Sequence, residues 1–254
     1  NRRPLILVVE DNREMQRLIM EPLKKEFRVI GTSDGKEGIE RARELIPDLI
    51  VSDVMMPLAD GYQLCETLKK DVTTSHIPVI LLTAKASEEN VIRGLETGVD
   101  DYITKPFNGK ILFARVKNLI ELRRQRHERI KNDMVLQPAE INVSSVDENF
   151  LKELRDIIEK NISDSLFGVE QLAKKLYLSR ATLYRKVMAL TGQSPNQFIR
   201  SFRLKRAAQL FDSHFGNVSQ VALEVGFTNF AHFSRCFKEV FHQSPSAYQA
   251  SRGG

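Results

Sequence analysis

Five polar residues, far apart in the chain, share one setting. Glu10 and Asp11 close the apolar run PLILVV, Asp53 closes DLIVS, Thr83 closes IPVILLT, and Lys105 follows DYIT. A carboxylate at the end of a buried strand is costly unless something compensates it. Three carboxylates gathered in one place repel one another, an arrangement a purely structural core avoids. A hard divalent cation relieves that repulsion, and Mg²⁺ takes one or two carboxylates, a carbonyl and waters. A lysine and a hydroxyl opposite complete a cradle for a phosphoryl group. Asp53 is then a nucleophile able to carry an aspartyl phosphate. Taken singly, Glu10 or Asp11 also suits a helix cap and Thr83 a strand end. Their joint occurrence at strand ends favours the chemical reading.

Such a gathering requires particular elements. Apolar, strand-like runs occur at 4–9, 27–32, 48–52, 77–83 and 101–104, and helix-period segments at 12–25, 35–45, 60–70, 87–96 and from 107 onward. Five strands alternating with helices predict a parallel sheet covered on both faces. The carboxyl ends of its strands form the functional edge. Gly31, Gly61 and Gly98 fall near predicted element ends.

Residues 4–120 resemble a two-component response-regulator receiver domain, through VVEDN, SDVMMP, LLTA and DDYITKPF in that order. The resemblance implies a flavodoxin-like α/β fold, with five strands in the order 2-1-3-4-5. It implies that a histidine kinase, in trans or on the same polypeptide, phosphorylates Asp53. Glu10, Asp11, Asp53 and the backbone carbonyl of Met55 would hold Mg²⁺. Thr83 would contact the phosphoryl oxygens, Lys105 would neutralise their charge, and Tyr102 would be the aromatic that reorients. The Lys105–Pro106 peptide is expected to be cis. Met55 and Lys85 flank the expected line of water attack on the phosphate. Asp100, Asp101 and Arg115 are charged candidates for a receiver–receiver contact in a homodimer formed on phosphorylation, with solvated surface charge as the plainer account.

The last helix overruns the domain as ILFARVKNLIELRRQRHERI, a stalk or simply a solvated helix end. NDMVLQPAEINVSS has no period and contains Pro138, which marks a linker. Ser145, with Glu148 three residues on, fits a capping box opening the helix FLKELRDIIEKNI. We place the receiver at 1–122, stalk and linker at 123–144, and an all-helical domain at 145–254.

That last domain contains an internal repeat. Val169, Leu172, Ala173 and Leu176 match Val218, Val221, Ala222 and Val225 at an offset of 49, whereas Leu183, Arg185 and Val187 match Phe233, Arg235 and Phe237 at an offset of 50. Each copy reads as a short helix, a tight turn, and a second helix capped by Ser179 or by Thr228/Asn229: a helix-turn-helix, twice. The second helix of such a unit enters a DNA major groove. Candidate reading residues are Arg180, Ala181, Thr182, Tyr184 and Arg185 in the first unit, and Asn229, Ala231, His232, Ser234 and Arg235 in the second. Arginine reads guanine edges and asparagine reads adenine. Leu183 and Val187 are expected inside, as are Phe230, Phe233 and Phe237. Thr191, Gln193, Ser194 and Lys238 are expected to touch phosphates. Between the units, PNQFIRSFRLKRAAQLF predicts a strut able to hold two recognition helices about 34 Å apart, one groove to the next. On it, Arg200, Arg203, Lys205 and Arg206 are solvated charge or DNA contacts.

The stretches ALTGQSPNQFIRSFRLKRAAQLF and VALEVGFTNFAHFSRCFKEVFHQSPSAY carry a resemblance to the DNA-binding domain of AraC/XylS transcription regulators, over about 145–250. His242, Gln243 and Gln249 depart from that family's usual residues, at a turn and at a phosphate contact. Charge supports a polyanion partner: residues 1–125 hold 20 basic and 20 acidic side chains, while 166–254 hold 12 against 4. Two distant cysteines, Cys65 and Cys236, argue against a disulfide framework and suit a reducing cytosol. No apolar run is long enough to span a membrane, so no membrane contact is expected within this segment.

The expected protein is a phosphorylation-controlled transcription regulator rather than an enzyme, apart from autocatalysed aspartyl phosphorylation and dephosphorylation. Its partners would be a kinase, a double-stranded operator, a second copy and, as a further candidate, RNA polymerase. Its setting would be the cytoplasm. The non-Met start favours the cytoplasmic end of a hybrid, membrane-spanning sensor over a free-standing regulator. The alternative is a phosphorelay intermediate whose C-terminal domain binds protein.

Overall fold

The computed structural model describes residues 3–84, 97–132 and 145–252, with side chains at 126–132 and 145 left aside. The helix expected at 87–96, Lys85, the linker after residue 132 and the Ser145 cap lie outside the described residues. The chain forms two compact units, one built on residues up to 129, the other from Phe150 onward.

The first unit alternates strand and helix. It contains β1 (Leu5–Val9), α1 (Arg13–Leu23), β2 (Arg28–Thr32), α2 (Gly35–Leu45), β3 (Leu49–Asp53), α3 (Gly61–Lys70), β4 (Val79–Thr83), β5 (Asp101–Thr104) and α4 (Gly109–Asn132). All pairings are parallel, and the order is β2-β1-β3-β4-β5, as expected. The central strands β1, β3 and β4 are buried at every position. Their side chains alternate between two cores. Ile6, Val8, Leu49, Val51, Ile80 and Leu82 face Ile19, Leu23, Leu112 and Val116 on one side of the sheet. Leu7, Val9, Ile50, Val79 and Leu81 face Ala42, Leu64, Cys65 and Leu68 on the other.

Local chemistry sets the helix starts. Asn12 accepts from the backbone N–H groups of Glu14 and Met15, and Asp34 from that of Glu37. Asp60 and Gln63 form a reciprocal capping box. The last helix does overrun, reaching Asn132, and Arg123 ties it to the sheet by donating to the Asp48 carbonyl at 3.0 Å.

The second unit is helical: α5 (Ser145–Lys160), α6 (Val169–Lys175), α7 (Arg180–Thr191), α8 (Pro195–Asp212), α9 (Val218–Glu224), α10 (Phe230–Phe241) and α11 (Pro245–Arg252). It has two cores rather than one. Leu172, Ala173, Leu183 and Val187 join Phe150, Leu154, Ile158, Phe198 and Ile199. Val221, Ala222, Phe233 and Phe237 join Leu204, Ala207, Ala208 and Phe211. Matching repeat positions therefore play matching parts, each in its own core. Four residues separate α6 from α7 and five separate α9 from α10, which explains the change of offset from 49 to 50. Each turn contains a left-handed residue, Tyr177 at φ 55° and Gly226 at φ 77°.

Candidate functional site

Hydrogen bonds between strand ends assemble the pocket. Glu10 N–H donates to the Thr32 carbonyl, Val54 N–H to that of Leu82 at 3.0 Å, and Lys105 N–H to that of Thr83 at 2.7 Å. Asp53, the last residue of β3, is only 6% exposed, and its Oδ1 accepts from Val54 N–H at 2.8 Å. Gly61, the first residue of α3, donates to the Val54 carbonyl at 3.0 Å, and a Cβ there would overlap the Asp53 carbonyl oxygen. The loop after the aspartate can close this tightly only on glycine.

Lys105 is the centre of charge. Its Nζ lies 3.0 Å from Asp53 Oδ2 and 3.0 Å from Glu10 Oε2. Burial alone would lower its pKa, but the bonds to Asp53 and Glu10 outweigh that and raise it. Glu10 is almost fully buried, which raises its carboxyl pKa; Asp53 raises it further and Lys105 opposes. Asp11 is exposed at the mouth. Carboxylate oxygens of Glu10, Asp11 and Asp53 lie within 4.8 Å of one another, so the three can share one ion. Hard oxygen donors with one open side fit Mg²⁺. Thr83 is buried at the end of β4, one strand over from Asp53. The Met55 side chain is exposed, just past the aspartate. The Lys105–Pro106 peptide is cis, as expected.

Tyr102 on β5 packs against the core containing Val99, Leu64 and Cys65. Its hydroxyl is buried, and burial pushes its pKa up to about 12. The charged surface candidates are already engaged within the unit. Arg115 grips Asp101 at 2.8 and 2.9 Å. Asp100 accepts from Lys69 at 2.7 Å and from Val79 N–H at 2.8 Å.

In the second unit, α7 begins on Ser179, whose Oγ accepts from Thr182 N–H, and α10 on Asn229, which accepts from His232 N–H. Arg180, Ala181 and Tyr184 are exposed on α7, and Thr182 and Arg185 half-exposed. Asn229, Ala231 and Arg235 are exposed at α10, with His232 and Ser234 half-buried. The His232 ring turns towards Cys236, at 3.3 Å, and towards Phe227.

Four expectations are corrected. Phe230 is 43% exposed, because the first residue of α10 precedes the inward stripe of Phe233 and Phe237. Thr191 is buried and its hydroxyl donates to the Val187 carbonyl, so it is not a phosphate contact. Arg203 turns inward to backbone carbonyls rather than to solvent. Lys205 is half-buried, and desolvation lowers its pKa to about 8. Sequence reading also missed Lys186, which is 1% exposed and lies 5.6 Å from the Phe150 ring centroid. The repeat held a signal for it: Lys186 matches the buried Cys236 at the post-turn offset.

A receiver-type acidic pocket and a tandem helix-turn-helix define the class. Residues 6–117 match the family model of the response regulator receiver domain, and residues 172–251 that of a helix-turn-helix domain of AraC type. The chain thus joins a receiver domain to a helix-turn-helix domain. It is 41% identical over 244 residues to histidine kinase P4 of Formosa agariphila, covering 96% of this chain and 18% of that protein. It is 48% identical over 124 residues to hybrid signal transduction histidine kinase D of Dictyostelium discoideum, covering 49% of this chain and 8% of that protein. Among solved structures, the receiver domain of a histidine kinase from Syntrophus aciditrophicus is 40% identical, covers 46% of this chain and 90% of its own, and has a TM-score of 0.42. The chain spans less than a fifth of the length of the two kinases it matches.

Proposed function

We propose that Asp53 accepts a phosphoryl group from a histidine kinase, and that this controls DNA binding by the tandem helix-turn-helix. The observation that carries it is Lys105 bridging Asp53 and Glu10 at the mouth of a three-carboxylate cluster. One Asp53 carboxylate oxygen attacks phosphorus, and the bond to the donor's imidazole nitrogen breaks. Glu10, Asp11, Asp53 and the Met55 carbonyl would hold Mg²⁺, which when bound supplies positive charge against the phosphoryl oxygens. Lys105 exchanges a carboxylate for a phosphoryl oxygen, Thr83 donates its hydroxyl to another, and Tyr102 follows Thr83 inward. A homodimer formed in response raises DNA affinity through effective concentration rather than through new base contacts.

The functional divisions are 1–122, 123–144 and 145–254. Among the described residues no helix is long and apolar enough to cross a membrane. The setting proposed is the cytoplasm, with a kinase on the same or another polypeptide, an operator duplex and RNA polymerase as partners. The chain regulates and turns over no external substrate beyond its own phosphodonor.

The test pairs the chain with Asp53→Asn. Acetyl phosphate with Mg²⁺ should add about 80 Da, the mass of one phosphoryl group, to the first and nothing to the second. It should strengthen operator binding only in the first. Equal strengthening in both overturns the reading. A steep loss of binding from low to moderate salt separates a DNA partner from an apolar protein partner.

A further inference from the structure

One side chain hydrogen-bonds to segments of both helix-turn-helix units. Helix α8 packs against helices of both. Ile199 belongs to the first core and Leu204 to the second, so the boundary between cores falls in the middle of this strut. Arg203 stands at that boundary. Its Nη2 donates to the Asp164 carbonyl at 2.5 Å and to that of Phe167 at 3.4 Å. Both acceptors lie in the segment that leads into α6, the first helix of the first unit. Its Nη1 donates to the Gly226 carbonyl at 3.5 Å, inside the turn of the second unit. Its Nε is buried, without an acceptor among the described residues.

The same three segments are in close contact independently of those bonds. A Cβ on Gly226 would lie 2.5 Å from the Ile162 carbonyl oxygen and 3.0 Å from Arg203 Cζ. A planar guanidinium holds five N–H donors in a fixed fork, whereas an ammonium is a compact charge with three donors on a flexible stem. A rigid tie between two separately cored units fixes their relative angle. On DNA, that angle decides which separation of half-sites both recognition helices can reach at once.

We propose that Arg203 is a positioning residue that sets the half-site spacing the protein reads, without touching DNA itself. The proposal rests on α7 and α10 being the DNA-reading helices, and the test keeps the two claims apart. The full chain is used to select binding sites from a random duplex pool. Affinity is then measured by fluorescence anisotropy on the selected operator, on versions with one base pair added or removed between half-sites, and on each half-site alone. The unaltered chain should lose at least ~10-fold on the respaced operators, because one base pair rotates a half-site by about 35° on a duplex of 10–10.5 base pairs per turn.

In Arg203→Met that penalty should shrink to within about twofold, with affinity for each isolated half-site unchanged. The slope of log affinity against log salt should also stay the same. Arg203→Lys, which keeps the charge, should show the same loss of spacing preference. A retained penalty in Arg203→Met overturns the proposal. So does a salt slope smaller by about one, which would make Arg203 a phosphate contact. Loss of helical circular dichroism or of half-site affinity in both variants also overturns it, because each unit has a core of its own. If the unaltered chain selects no sequence, the DNA reading fails, and the proposal fails with it.

Discussion

Replacing Lys105 with methionine should turn the pocket against the fold. Lys105 Nζ faces two buried carboxylates at 3.0 Å each. At an effective dielectric constant of 20, one such pair has a gross attraction of about 5.5 kcal/mol. Most of that offsets the cost of burying the charges. Removing one partner of a buried pair still costs about 3–5 kcal/mol, because the other charges stay behind. The pocket is open beside Asp11, so the lower figure, about 3 kcal/mol, applies. For a unit of this size that corresponds to a melting point lower by roughly 12 °C.

The pH dependence gives the sharper check. Burial already raises the Glu10 pKa, and without Lys105 it rises further. A carboxyl whose folded pKa exceeds its unfolded value binds more protons when folded, so stability falls as pH climbs from about 4.5 through the folded pKa. The variant's deficit should therefore be full at pH 8 and shrink towards pH 4.5. Millimolar Mg²⁺ should recover part of it at pH 8, and EDTA should remove that recovery. The assay is thermal unfolding of the full chain by circular dichroism, following the transition that Mg²⁺ moves. A deficit below about 1 kcal/mol, or one equal at pH 5 and pH 8, would refute the idea that Lys105 offsets buried carboxylate repulsion.

Gly61→Ala should destabilise the first unit by about 2 kcal/mol through overpacking against the Asp53 carbonyl, and should also slow phosphoryl uptake in a mass-spectrometric time course. Ser179→Ala and Asn229→Ala each remove an N-cap and should each cost about 1 kcal/mol in chemical denaturation of the second unit. Lys205 has a folded pKa near 8, below its unfolded 10.5, so the folded state binds fewer protons between those values. The second unit should gain stability as pH rises from 8 to 10.5, and Lys205→Met should abolish that gain in a pH series of melts.

Much of this was legible in the chain because buried parallel strands leave long apolar runs and punctuated ends. β2, β3 and β4 each lie within two residues of their expected bounds, and the pocket follows from what stands at those ends. The repeat was legible because each unit feeds its own core with the same pattern. What failed were side chains whose environment is tertiary. Thr191 reads as a phosphate contact, yet it is buried and its hydroxyl donates to the Val187 carbonyl one turn back. Phe230 reads as core by type and spacing, yet as the first residue of its helix it stands before the inward stripe and is exposed. Arg203 reads as solvated charge or a DNA contact, and Lys186 draws no expectation. Only contact with carbonyls from another segment, or with the Phe150 ring, shows why they turn inward.

The left-handed turns at Tyr177 and Gly226 carry opposite tolerances. The tyrosine is 95% exposed, so any residue that tolerates a left-handed backbone can replace it. The glycine is hemmed in by the Ile162 carbonyl and a guanidinium, so the same bend there admits no side chain. Duplicated copies of one motif have thus been left under unequal constraint: one corner accepts a change of side chain, and the other is frozen by its neighbours.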